Sequence, residues 1–189
     1  MAPIVGATSS FMTRCWILVG MMGVGKSAVG RELAQRTGRD FVDTDLLLQN
    51  RLGRPVGQLF QVYGESAFRD HEHSLLRSLE PSKSVLSTGG GIVLRDENWG
   101  ELRRLGAIVY LKSSPDEIIQ RLAASKKRRP LLEVENWEDR LRGLLVDREH
   151  LYLKADAVVE ISGDSIESVA TKAQAVFNQL DPAGEGDDS

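Results

Sequence analysis

The sequence predicts a three-layer α/β/α domain on a five-stranded parallel sheet. Four apolar, β-branched-rich runs stand out, Trp16 to Val19, Ser84 to Ser87, Ala107 to Leu111 and Ala157 to Ile161, with a shorter and weaker fifth over Asp40 to Asp43. Segments with helical spacing lie between them, the alternation expected of parallel strands covered by helices on both faces. At 189 residues the chain is long enough for one well-buried domain and short for two.

The first run, with Cys15 at its head, leads into Gly20-Met21-Met22-Gly23-Val24-Gly25-Lys26-Ser27 and on into a helix predicted over Lys26 to Arg36. A strand, a glycine-rich turn and a helix start gather backbone N–H groups and the positive end of a helix dipole around one anion, here the phosphates of a nucleotide. In such a phosphate-binding loop Lys26 reaches the outer phosphates and the Ser27 hydroxyl binds Mg²⁺. A glycine turn with a chance Lys-Ser is the plain alternative, and the flanking strand and helix argue against it. Further helices are predicted over Thr44 to Arg51, Pro55 to Tyr63, Glu65 to Leu79, Glu97 to Leu105, Ser114 to Ala124, Trp137 to Leu153 and Ser165 to Leu180. Gly38, Gly53 and Gly64 punctuate helix ends, and Pro55 and Pro115 suit first turns.

A net charge of −3 argues against a general nucleic-acid binder. The single cysteine, Cys15, can form neither an internal disulfide nor a cysteine-rich metal site, which fits a reducing, cytoplasmic setting. It is expected to be a small buried residue of the first strand. No apolar stretch approaches the roughly 20 residues that cross a bilayer, and no long apolar heptad suggests an oligomer, so a monomer is expected. Residues 1–13 read as a flexible extension, 14–180 as the single domain, and 181–189 as a disordered acidic tail. Within the domain, residues 125–136 break the apolar rhythm with Lys126-Lys127-Arg128-Arg129-Pro130. Such a stretch suits a solvated loop, an import signal or an RNA contact, and in a nucleotide-binding domain it suits a lid over the phosphates.

Three further motifs narrow the reading. Asp43-Thr44-Asp45 sets two carboxylates at the end of a predicted strand, the edge where parallel sheets bind ligands; a helix N-cap is the alternative. Gly64 to Glu72 puts Arg69 and Glu72 one helical turn apart, which by itself is a surface ion pair. Ser87-Thr88-Gly89-Gly90-Gly91 follows a strand directly, and its glycines serve either as a plain turn or as bare backbone against a ligand.

In their order and spacing, together with Arg129-Pro130-Leu131-Leu132 and Arg148 followed by Tyr152, these motifs resemble the shikimate kinase family over about Trp16 to Ile161. The resemblance implies a P-loop, nucleoside-monophosphate-kinase-like fold with strand order 2-3-1-4-5 and a lid. It also implies transfer of the γ-phosphoryl group of ATP, with Mg²⁺, to the 3-hydroxyl of shikimate, a step toward chorismate and the aromatic amino acids. Lys26, Asp45 and Arg129 are the implied catalytic residues. Asp45 orients the attacking hydroxyl, and Asp43 joins Ser27 at the metal. Arg69 and Arg148 grip the substrate carboxylate, since a planar guanidinium fork matches a carboxylate as a lysine does not. Glu72 orients Arg69, and Gly89, Gly90 and Gly91 meet the ring hydroxyls. Gly23, Val24, Gly25, Lys26, Ser27, Ala28 and Arg129 surround the phosphates; Arg121 and Ser162-Gly163-Asp164 are implied at the adenine.

One departure stands out. Many relatives carry Thr after the metal-binding Ser, whereas this chain has Ala28, which removes one side-chain contact to phosphate. His71, His73 and His150 fall on predicted helices without ligand-like spacing and receive no chemistry. A kinase of the same fold acting on another sugar acid, such as gluconate, and a non-catalytic nucleotide-binding relative are the rivals. The paired arginines favour shikimate, and Lys26, Asp45 and both arginines are all present.

Overall fold

The computed structural model describes residues 14–125 and 135–182. The predicted extension (1–13), most of the predicted lid with Arg129 (126–134) and most of the predicted tail (183–189) lie outside the described residues.

Five parallel strands, β1 (Cys15–Val19), β2 (Asp40–Asp43), β3 (Ser84–Ser87), β4 (Gly106–Ser113) and β5 (Ala157–Ile161), form one sheet in the order β2-β3-β1-β4-β5. β1 lies in the middle and is buried throughout, as its unbroken apolar run requires. Its alternate residues feed two cores. Cys15, Ile17 and Val19 pack with Leu86, Ile108 and Tyr110 beneath α4 (Asp96–Leu105) and α6 (Trp137–Tyr152), through Trp99, Leu102, Leu141 and Tyr152. Trp16 and Leu18 pack with Val85, Val109 and Val159 beneath α1 (Lys26–Thr37) and α7 (Ile166–Leu180), through Leu33, Ala34, Ala173 and Phe177. The buried placement expected of Cys15 is met. A smaller cluster, Leu48, Leu59, Phe68 and Leu75, joins α2 (Thr44–Leu52) to α3 (Val56–Ser78).

This topology positions the site. α1 leaves β1 toward one face, whereas α4 follows β3 on the other, so the connections part at the carboxyl edge between β1 and β3. In open parallel sheets that parting is where ligands bind, and here it brings residues 20–25 beside residues 88–91.

The structure corrects several predicted boundaries. The helices predicted over Pro55 to Tyr63 and Glu65 to Leu79 form one run, α3, bent at Gly64, whose φ of 76° and ψ of 169° leave the helix; such a φ is cheap only for glycine. Pro55 stands just before the first turn of α3, while Pro115 opens α5 (Pro115–Ala123) as expected. β4 outruns its predicted 107–111 because β1 and β5 bond it on both sides. A short 3-10 turn, Ile92–Leu94, was not predicted.

Asp181, assigned by the sequence to a disordered tail, is buried. Trp16 Nε1 donates to its Oδ2 at 3.3 Å, and Arg39 Nη2 lies 3.7 Å from the same oxygen. The Arg39 guanidinium sits 3.9 Å over the Trp16 ring, which stacks on Phe177 at 4.9 Å. A carboxylate can be buried here because both a donor and an opposite charge meet it.

Candidate active site

β1 hands the chain to the phosphate loop, in which Gly20, Gly23 and Gly25 adopt φ of 145°, 80° and 107°. These angles are open to glycine and costly to other residues. Lys26 opens α1 and is buried, its Nζ donating to Gly20 O at 2.7 Å and Met21 O at 2.9 Å. The ammonium is thereby drawn over its own loop. Val24 is buried beneath that turn, and its carbonyl accepts from Arg121 Nη1 at 3.1 Å. Ala28, one step into α1, offers no side-chain oxygen.

Beside the loop, β2 and β3 pair Asp43 with Ser87 in register. Ser27 Oγ donates to Asp43 Oδ2 at 2.8 Å and lies 3.3 Å from Ser87 Oγ. The other Asp43 oxygen accepts from Asp45 N at 3.0 Å and Leu46 N at 3.3 Å, capping α2. Asp43 therefore caps α2 with one oxygen, as the N-cap alternative expects, and meets Ser27 with the other. Hard oxygen donors converging at a phosphate loop fit Mg²⁺.

Across the edge, four charged groups meet. Arg69 Nη1 donates to Glu72 Oε2 at 2.5 Å, and Glu72 is only 2% exposed. Burial pushes the Glu72 carboxyl up to about 7 against the pull of Arg69, with Asp45 raising it further and Arg148 opposing. Arg148, on α6, is buried, only 5% exposed. Arg69 Nε and Arg148 Nη1 are buried without a hydrogen-bond partner among the described residues. Buried guanidinium nitrogens with unused donors, one on the half-buried Arg69 and one on the buried Arg148, are costly unless an anion meets them.

The glycines after β3 sit among these groups. A Cβ on Gly89 would lie 2.7 Å from Asp45 Oδ1 and 3.1 Å from Glu72 Oε1, and one on Gly91 would collide with the Arg69 guanidinium. A Cβ on Gly90 would lie 3.0 Å from Met22 N, on the phosphate loop. The glycines thus let the carboxylates, Arg69 and the phosphate loop close on one point, a reason within the protein that the sequence did not disclose. A cavity of about 640 Å³ between Glu65 to Asp70 and Leu94 to Glu97 shares only Arg69 with the predicted set.

Several contributors were missed or underrated. Tyr152, read only as a companion of Arg148, donates to Gly90 O at 2.6 Å, and burial pushes its phenol up to about 12. Thr44 Oγ1 accepts from Gly89 N at 3.1 Å, and Thr88 Oγ1 donates to Leu18 O at 2.9 Å. Thr44 and Thr88 lie inside the quoted motifs, and that placement was the available signal. His71 and His73 are half-buried and His150 is exposed.

A family model described as shikimate kinase matches residues 22–178. The shikimate kinase of Thermodesulfovibrio yellowstonii is 41% identical over 165 residues, 87% of this chain and 95% of that protein. Among solved structures, shikimate kinase from Acinetobacter baumannii in complex with shikimate superposes with a TM-score of 0.83 at 36% identity, covering 88% of this chain and 94% of that one. A gluconokinase from Sinorhizobium meliloti, 18% identical over 92% of this chain and 95% of its own, shares the fold with a TM-score of 0.55. With a matching sheet order, a phosphate loop and two arginines meeting a buried glutamate at one sheet edge, the chain belongs to the shikimate kinase family.

Proposed function

We propose that the chain transfers the γ-phosphoryl group of ATP to the 3-hydroxyl of shikimate, giving shikimate 3-phosphate and ADP. The carrying observation is the pair of arginines beside the buried Glu72, Arg69 and Arg148, each with a buried guanidinium nitrogen that no described residue accepts from, and Asp45 acting on the same carboxyl. Two forks of this kind suit a small carboxylated ring, and the relative solved with shikimate supports the same acceptor.

In this reading Arg69 and Arg148 hold the substrate carboxylate while Glu72 fixes the Arg69 fork. Gly89 to Gly91 bring backbone against the ring. Asp45 accepts the proton of the attacking hydroxyl as its oxygen bonds to phosphorus and the bond to ADP breaks. Lys26 and, from the lid, Arg129 neutralise charge on the phosphoryl oxygens, since phosphoryl transfer asks the protein chiefly for positioning and charge. Ser27 and Asp43 would hold Mg²⁺, directly or through its water shell, and the ion would supply further neutralisation at the phosphates. Ala28 leaves that metal position intact. Arg121 and Ser162 to Asp164 flank the adenine. The proposal includes a cytoplasmic monomer acting on neither nucleic acid nor membrane, supported by the acidic balance and the single cysteine; no described helix is long and apolar enough to cross a membrane.

The test is a coupled ADP-release assay with Mg·ATP and, in turn, shikimate, gluconate and nucleoside monophosphates. Shikimate-dependent turnover is expected. Turnover of gluconate without turnover of shikimate would overturn the assignment.

A further inference from the structure

The turn after β5 is held from two sides. On one, Asp164 accepts from Ser162 N at 3.0 Å, Ser168 Oγ at 3.1 Å and Lys172 Nζ at 2.8 Å, and Lys172 first among them pulls its carboxyl down to about 2. On the other, Glu117 reaches across from the first turn of α5. Gly163 N donates to Glu117 Oε1 at 2.6 Å, and Ser113 Oγ, at the end of β4, donates to Oε2 at 2.5 Å. Gly163 has a φ of 63°, so its amide is presented by a left-handed turn and bonds a single carboxylate oxygen, Glu117 Oε1.

Glu117 belongs to a larger link. One helical turn on, Arg121 donates to Val24 O in the phosphate loop at 3.1 Å. A single face of α5 therefore bonds the turn at 162–164 and the loop at 20–25, which are far apart in sequence. The Ser113 hydroxyl, followed by the Gly163 amide, lowers the Glu117 carboxyl below its usual range, which keeps it an acceptor on both oxygens.

We infer that Glu117 is a positioning residue for the nucleotide base: it touches no substrate, and by clasping Gly163 to Ser113 it sets the 162–164 turn at a fixed height above the phosphate loop. The inference rests on the reading that this turn flanks the adenine. An adenine contact on an otherwise exposed turn is effective only if the turn is ordered before the nucleotide arrives, since ordering it on binding costs affinity.

The test compares the full chain with Glu117→Ala and Glu117→Gln. Four quantities are read: amide hydrogen exchange at Gly163, ADP affinity by calorimetry, inhibition by inorganic tripolyphosphate, and kcat and KM for shikimate at saturating ATP. For the alanine variant, faster Gly163 exchange and about tenfold weaker ADP binding are expected, on the scale of a lost charge-assisted hydrogen bond. Tripolyphosphate inhibition and the shikimate parameters should stay within about twofold, and the glutamine variant, whose amide oxygen still accepts from Gly163, should recover most of the ADP affinity. Equal weakening of ADP and tripolyphosphate would overturn the inference, because the effect would then run through the phosphate loop. Unchanged Gly163 exchange would overturn the clasp while leaving the adenine reading standing. Faster exchange with unchanged ADP affinity would remove the adenine reading, and the inference with it.

Discussion

The Arg69 guanidinium lies across Gly91 so closely that a Cβ added at that glycine would fall on its terminal nitrogens. Gly91 itself has an ordinary φ of −100°, so alanine meets no backbone strain there. The obstacle is the far end of a flexible side chain, which can move, and moving takes the fork away from Glu72.

Gly91→Ala should therefore leave stability nearly intact, within about 1 kcal/mol, while raising KM for shikimate about tenfold or more. Thermal unfolding beside steady-state kinetics checks the split. A large loss of stability with unchanged KM would mean that the glycine serves the fold instead.

Arg69→Lys keeps the charge and loses the fork. KM for shikimate should rise about tenfold while ADP affinity is unchanged, because a lysine cannot serve both Glu72 and a carboxylate in one plane. Calorimetric titration with each ligand separates the outcomes, and parallel weakening of both would count against a substrate role.

Lys26→Ala removes the cation that now bonds Gly20 O and Met21 O. The expected loss is in kcat, about a hundredfold or more, the scale of one preorganised group acting on transition-state charge. Single-turnover rates with shikimate and Mg·ATP check it; a loss confined to KM for ATP would reassign the lysine to binding.

The Glu72 carboxyl gives the fold a pH signature. Burial raises it from 4.5 to about 7, so between those values the folded chain holds a proton that the unfolded chain has released. Its contribution to stability is complete below the lower value and is lost as the pH rises through the upper one. Glu72→Gln should flatten that decline in urea unfolding between about pH 5 and about pH 8. An unchanged slope would assign the decline to other groups.

The strands and the phosphate loop were legible because each is a local signal: an apolar run, or glycines and Lys-Ser between a strand and a helix. Arg69 and Glu72 were legible as a helical pair, whereas the burial of Glu72 was not, nor the approach of Asp45 and Arg148 from other elements. Least legible were contacts between residues remote in sequence. Tyr152 and Gly90 are 62 residues apart, Glu117 and Gly163 are 46 apart, and Trp16 and Asp181 are 165 apart. Nothing periodic around any of these residues announces its partner. Asp181 looked like tail for the same reason, its neighbours being acidic and glycine-rich while its own partners lie on β1 and beside β2.

The clasp of Trp16, Arg39 and Asp181 has a practical corollary. It gathers the entry to β1 and the exit of α7 at the amino ends of the strands, while the phosphate loop and the paired arginines occupy the opposite edge. Affinity tags, fluorophores or surface tethers joined at either end of the folded domain therefore leave from its far pole. An immobilised enzyme attached through either end keeps its mouth toward the solution.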